Sequence, residues 1–120
     1  MQIRELSKLT GVSSTTIRFY EKVGVLPKAR KGTNGYREYP EDRVMQIQMI
    51  VRAKVLGFTL NEIKELSALL FSKKLSPKEM AKRLKEKNEE IDVKIESLRM
   101  MKSEVNQALA GLCEFKDRLS

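Results

Sequence analysis

Apolar positions in the first half of the chain recur at helical spacing in short runs, and glycines close them. Ile3, Leu6 and Leu9 share a helical face, and Gly11 follows where a left-handed residue ends a helix. Ser13 is placed to N-cap a second helix that carries Ile17, Tyr20 and Glu21 and closes at Gly24. Pro27 then takes the chain out of helix. Residues 25–39 change character: they are basic, contain Asn34-Gly35, and end in alternating Tyr36-Arg37-Glu38-Tyr39. Asn-Gly beside an alternating aromatic stretch predicts a small β-hairpin. Pro40-Glu41-Asp42 opens a third helix, because proline suits the first turn and acids favour its positive end. Val44, Ile47, Ile50 and Val51 form its expected apolar stripe, and Gly57 ends it. Thr59-Leu60-Asn61-Glu62 has the form of a capping box for a fourth helix, with Leu60, Ile63, Leu66 and Leu69/Leu70 inward. Ser76-Pro77-Lys78-Glu79 repeats that box at the start of a fifth.

The fifth helix carries a different pattern. Leu84, Ile91, Leu98, Val105 and Leu112 fall seven apart, supported by Ile95, Met101, Ala108 and Leu109, with Lys and Glu between. A sustained heptad is a coiled-coil seam rather than a core-facing stripe. Residues 76–112 would extend roughly 55 Å at the α-helical rise, too far to be covered by four short neighbours. An intrachain antiparallel hairpin would need a second long helix, and the chain has no segment to supply one. A second copy is the simplest partner, so Leu84, Ile91, Ile95, Leu98, Val105, Leu109 and Leu112 are expected to dimerise the chain as an antiparallel coiled coil.

The first two helices, with Gly11-Val12-Ser13 between them, have helix-turn-helix spacing, with Val12 turned inward. The predicted fold is therefore mainly α: a winged helix-turn-helix with a β-hairpin wing over residues 1–70, then a linker over 71–75. A dimerisation helix over 76–112 and a short tail over 113–120 follow. On the second helix, Ser13, Ser14, Thr15, Thr16 and Arg18 lie on or near the N-terminal exposed face. Hydroxyls and helix N-terminal amides suit phosphates, and arginine can reach a base edge with two hydrogen bonds. Arg18 taken alone could equally be a solubilising charge or one half of a surface salt bridge.

Charge changes the picture more than composition does. The chain carries a formal net charge of +8, and 41% of its residues are hydrophobic against 33% charged. Residues 1–56 hold eleven Lys/Arg and five Asp/Glu, whereas residues 57–120 hold thirteen and eleven. The excess sits on the half with the helix-turn-helix, where it would attract a polyanion, although solubility alone would also use it. There is one cysteine, Cys113, and no histidine. Those two counts exclude an intrachain disulfide, a His/Cys zinc site and any histidine-based nucleophilic triad. No glycine-rich phosphate loop or nucleophile–base pair suggests an enzyme, and no cofactor or metal is expected. No apolar run approaches the roughly 20 residues of a membrane span, and the N-terminus does not read as a signal peptide, so a cytoplasmic protein without membrane contact is expected.

Three segments carry a resemblance: Ile17-Arg18-Phe19-Tyr20-Glu21, Gly24-Val25-Leu26-Pro27, and Asn34-Gly35-Tyr36-Arg37-Glu38-Tyr39. In that order they resemble the N-terminal signature of the MerR family of bacterial transcription regulators. Arg52-Ala53-Lys54-Val55-Leu56-Gly57-Phe58-Thr59-Leu60-Asn61-Glu62-Ile63 is similar to the family's next segment, and a long helix follows as the family predicts. The resemblance implies that the second helix enters the major groove of double-stranded DNA, with Ser14, Thr15 and Arg18 on bases and phosphates. Tyr20 would support a phosphate contact or the packing behind it. Tyr36 and Arg37 on the wing would grip the backbone, with Lys31 near the hairpin tip, and Arg52 would add a contact from the third helix. Cross-strand packing is the plain alternative for both wing tyrosines; it is adopted for Tyr39 and not for Tyr36. The family's dimers bind near-palindromic operators in promoters whose spacer is too long for RNA polymerase, then bend and untwist that DNA.

The metal-sensing branch of the family places two cysteines in a loop after the long helix, and some members add a third at the start of the partner's helix. Cys113 stands where the first loop cysteine would be, but residues 114–120 hold no second one, and Ser76 occupies the helix start. One thiolate per chain is a poor site for a soft monovalent ion. Residues after 112 are also too few for a separate drug-binding domain. Cys113 is then a sensor thiol, a small apolar residue at the helix end, or part of a protein that takes no small ligand; its neighbours Lys116 and Arg118 oppose Glu114 and Asp117. The effector is left unidentified. The runner-up reading from another class is a coiled-coil interaction protein whose basic head binds nucleic acid without sequence preference.

Overall fold

The computed structural model of the chain describes residues 1–112 and 116–119, of Asp117 the backbone alone. Helices α1 (Ile3–Thr10), α2 (Ser14–Lys22), α3 (Asp42–Val55), α4 (Leu60–Phe71) and α5 (Pro77–Ala110) account for most of it. Strands β1 (Arg30–Lys31) and β2 (Arg37–Glu38) lie between α2 and α3. Two compact units result, Met1–Pro77 and Lys78–Ser120.

In the first unit, α1 packs on α2 and α3, and α3 on α4. Leu6, Ile17, Val25, Ile47, Ile50 and Ile63 meet in its core. The turn between α1 and α2 is set locally. Gly11 takes φ +72°, and its N–H returns to the Ser7 carbonyl at 2.9 Å, closing α1. Ser13 Oγ then accepts the Thr16 amide at 3.1 Å and opens α2. The capping box at α4 is complete: Glu62 N–H donates to Thr59 Oγ1 at 3.2 Å, and Thr59 N–H to Glu62 Oε1 at 2.8 Å.

Two expectations on α3 need correction. Val51 is 38% exposed rather than inward, because Ile47 and Ile50 already fill the face that meets α1 and α4. Gln46 takes a buried place instead, and its Oε1 accepts from Arg43 at 2.9 Å.

In the second unit, α5 runs unbroken for 34 residues. Ion pairs one turn apart, Glu79–Arg83 at 3.2 Å and Lys87–Glu90 at 2.7 Å, decorate it. Leu112 lies past the end of α5, beyond Gly111, so the helix stops two residues short of the seam's last heptad position. No helix among the described residues is long and apolar enough to cross a membrane.

Candidate nucleic-acid interface

The outward face of α2 follows from which of its residues the core takes. Ile17, Tyr20 and Glu21 are buried, which leaves Thr15, Arg18, Phe19 and Lys22 exposed on the opposite side. Ser13 is exposed but committed to the cap, with its hydroxyl also donating to Thr16 Oγ1 at 2.8 Å. The first amides of α2 after that cap have no intrahelical acceptor and carry the positive end of the helix dipole, which suits phosphate. Tyr20 is buried, with the Lys54 ammonium 5.9 Å from its ring centre, so it supports the face from behind.

The wing is a two-stranded antiparallel hairpin with Arg30 opposite Glu38 and Lys31 opposite Arg37. Its turn is longer than Asn34-Gly35 alone. Gly32 N–H donates to the Tyr36 carbonyl at 2.6 Å, Gly35 N–H to Gly32 at 3.1 Å, and Tyr36 N–H to Asn34 Oδ1 at 3.2 Å. Gly35 adopts φ +80°, and a Cβ on Gly32 would stand 2.8 Å from the Glu38 side chain, so both glycines are required by the turn. Tyr36 stands at the end of this turn, 65% exposed, against nothing in the wing that would pack it. Tyr39 is 1% exposed, as packing demands, but its partner is not a cross-strand side chain.

Tyr39 reaches α2. Its hydroxyl donates to Glu21 Oε1 at 2.5 Å. The other carboxylate oxygen, Oε2, accepts the Ala29 amide at 3.2 Å and faces the Arg37 guanidinium at 3.8 Å. Glu21, itself 6% exposed, is thus surrounded by donors from both arms of the wing. Burial raises the Tyr39 phenol above its ordinary pKa, and the hydrogen bond to Glu21 and its negative charge add to that, against an opposing pull from Arg37. A buried carboxylate with two hydrogen-bond donors and an arginine ion pair was not foreseen from the sequence.

Between α2 and the wing lies an open cleft of about 420 Å³, lined by Arg18, Lys22, Lys28, Lys31 and Arg37, with Glu21 and Ala29 at its floor. The structure brings Arg18, Lys31 and Arg37 together there, as the sequence reading needs. It adds Lys22 and Lys28, which that reading passed over; Lys22 follows Arg18 at i+4 on the same helical face, a signal available beforehand. Ser13, Ser14, Thr15, Tyr36 and Arg52 do not line the cleft; Arg52 is exposed on α3. Phe19 was also passed over. It is 46% exposed on α2, one residue from Arg18, and an apolar ring there suits the methyl group of thymine.

The seam residues Leu84, Ile91, Ile95, Leu98, Val105, Leu109 and Leu112 are all between 38% and 63% exposed, an apolar stripe left largely open among the described residues. Cys113 lies outside the described residues. Among the described residues, no group of three or more His, Cys, Asp or Glu could hold a metal ion.

Comparison with known proteins gives this geometry a lineage. The family described as "MerR HTH family regulatory protein" matches residues 1–70, and "MerR, DNA binding" matches residues 44–108. The transcriptional regulator CueR of Escherichia coli O6:H1 is 33% identical over 117 residues, spanning 98% of this chain and 86% of its own. The crystal structure of the transcription regulator PbrR691 from Ralstonia metallidurans CH34 in complex with lead(II) superposes with a TM-score of 0.80 at 27% identity, covering 92% of this chain and 86% of that one. EcmrR, seen by cryo-electron microscopy as an EcmrR–DNA complex in EcmrR-RPo, matches at 30% identity and a TM-score of 0.70, over 99% of this chain and 41% of its own. A capped recognition helix beside a basic wing, followed by a long helix with an uncovered seam, is in this lineage a device for regulating transcription rather than for catalysis: the chain belongs to the MerR family of helix-turn-helix, DNA-binding transcription regulators.

Proposed function

We propose that two copies of the chain bind a near-palindromic operator within a promoter and distort the spacer so that RNA polymerase can use it. The observation that carries this reading is the cleft between α2 and the wing. Five cations line it and only one acid, itself buried, so it suits a phosphate backbone running between a helix in the major groove and the hairpin. Arg18 and Phe19 read base edges, Thr15 and the first amides of α2 meet phosphates, and Lys22, Lys28, Lys31, Tyr36 and Arg37 hold the backbone. Ser13 and Tyr20 serve indirectly, as cap and support, and Arg52 adds a backbone contact from α3. A winged helix-turn-helix over residues 1–70, a linker over 71–75 and a dimerisation helix over 76–112 make up the working unit, and the tail over 113–120 holds the effector question.

The exposed seam of α5 supports self-association as an antiparallel pair, which ties two DNA-reading units into one dimer. Two half-sites can then be gripped together only where the DNA between them bends and untwists, at a deformation cost of order 1–6 kcal/mol repaid by backbone contacts. Promoter DNA places the work in the cytoplasm. The signal is not assigned: Cys113 would be a thiol sensor, an ordinary small apolar residue, or part of a regulator that takes no small ligand, and a lone thiol per chain argues against a soft metal ion. A promoter duplex labelled at both ends tests the distortion. Energy transfer should rise when the protein binds, and saturated binding with no change in end-to-end distance would exclude the mechanism.

A further inference from the structure

The C-terminal end of the wing is held by Met1, whose ammonium donates to Glu38 Oε2 at 3.0 Å and to the Tyr39 carbonyl at 2.7 Å while its own carbonyl accepts the Tyr39 amide at 2.7 Å, but none of these contacts reaches α2. Each strand of the wing is two residues long, every residue in them is exposed, and an isolated hairpin of that size is at best marginal in water. Yet a reader that grips a backbone between helix and wing needs a fixed spacing between them. The Glu21 carboxylate sits where that spacing is decided. It belongs to α2, on the turn after Arg18, and it meets the wing at three points: it accepts hydrogen bonds from the Ala29 amide just before β1 and the Tyr39 hydroxyl just after β2, and it forms an ion pair at 3.8 Å with the Arg37 guanidinium in β2. We infer that Glu21 is the positioning residue that locks the wing to the recognition helix and thereby sets the width of the phosphate-binding cleft.

Placing a carboxylate at 6% exposure is costly unless its lone pairs are taken, and here wing groups take them. The arrangement is therefore cooperative. With the wing docked, Glu21 is satisfied by wing groups; with the wing swung out, all of those contacts are lost together. The same carboxylate keeps Arg37 from folding away across the cleft, since it draws the guanidinium from one side while 55% of the side chain stays open to a phosphate. The two hydrogen bonds and the ion pair also need both oxygens. A glutamine keeps the size and one acceptor, but its amide nitrogen cannot accept from Ala29 and repels the guanidinium. An aspartate is one methylene too short to reach all three.

This inference rests on the proposed DNA-reading function, and the test separates the two. Glu21→Gln, Glu21→Asp and Tyr39→Phe are compared with wild type for binding to operator and to random duplex across a salt series, with a hydroxyl-radical footprint of each complex. Wing phosphate contacts release counterions, so each one lost should flatten the slope of log affinity against log salt by about 0.9. Both glutamate variants should bind more weakly, with flatter slopes and no protection at the wing positions. Base preference, set by Arg18, and dimerisation should stay as in wild type; a merely structural lesion would degrade all of these together. Tyr39→Phe, which leaves the Ala29 hydrogen bond and the Arg37 ion pair, should shift in the same direction by less, and it decides the matter if the glutamate variants fail to fold. Wild-type slope and footprint in the folded variants would overturn the tether. Loss of operator preference in the wild type itself would overturn the function, while slopes on random duplex would still test the tether.

Discussion

Arg18 and Arg37 face the same cleft but do different physical work. Arg18 projects from a capped helix, where its guanidinium can pair with both acceptors of a guanine edge. Arg37 sits in a hairpin strand, paired with Glu21, and in the proposed docking it would meet phosphates. Arg18→Ala should weaken specific binding by about 1–3 kcal/mol and relax base preference at one operator position, whereas Arg37→Ala should weaken binding to all sequences alike. Quantitative footprinting on an operator and its single-base variants checks both, and unchanged affinity for both variants would remove the assigned docking. Residues also differ in how legible they were. The Ser13 cap could be read in advance because its acceptor and donor lie three positions apart. Glu21 could not, because its partners lie eight, sixteen and eighteen positions away and meet it only when the wing folds back.

Elements defined by local rules came out close to expectation. Gly11, the Thr59 box and Pro77 mark ends of α1, α4 and α5 that backbone geometry alone dictates. Besides the earlier end of α5, the failure was a face: Val51 turned outward because the side of α3 that is buried depends on α1 and α4. The Thr59 box supplies the most separable stability prediction. Thr59→Ala removes one side-chain acceptor at the start of α4 and should lower stability by about 1 kcal/mol, read as a lower urea midpoint with an unchanged slope. The seam of α5 supplies another. Leu98 is the midpoint of Leu84–Leu112, so in an antiparallel pair the two copies of Leu98 meet near the dimer axis, while the two copies of Leu84 stand about 42 Å apart. In a Cys113→Ser background, Leu98→Cys should form a disulfide-linked dimer and Leu84→Cys should not. Linking at both positions would mean a parallel pair. Leu98→Glu should give monomers by sedimentation, and a persistent dimer would mean the seam lies elsewhere.

At the scale of the whole molecule, the uneven charge and the lone heptad were visible before any coordinates, and together they outlined a basic head on a dimerising rod. The cleft was not visible. Lys28 precedes the wing and Lys22 ends the helix, so only the hairpin's return over α2 places them on one surface. A cluster of cations by itself would serve either a selective regulator or a protein that coats nucleic acid, because phosphate contacts carry no sequence information. What would separate the two is the face of α2, where Thr15, Arg18 and Phe19 are exposed and, in the proposed docking, would meet base edges and phosphates. Equilibrium competition between operator duplex and random duplex of equal length, at physiological salt, measures that difference directly. A selective regulator should show an affinity ratio of about 10³ or more in favour of the operator, falling sharply in Arg18→Ala. A ratio near one in the wild-type dimer would contradict the regulator reading.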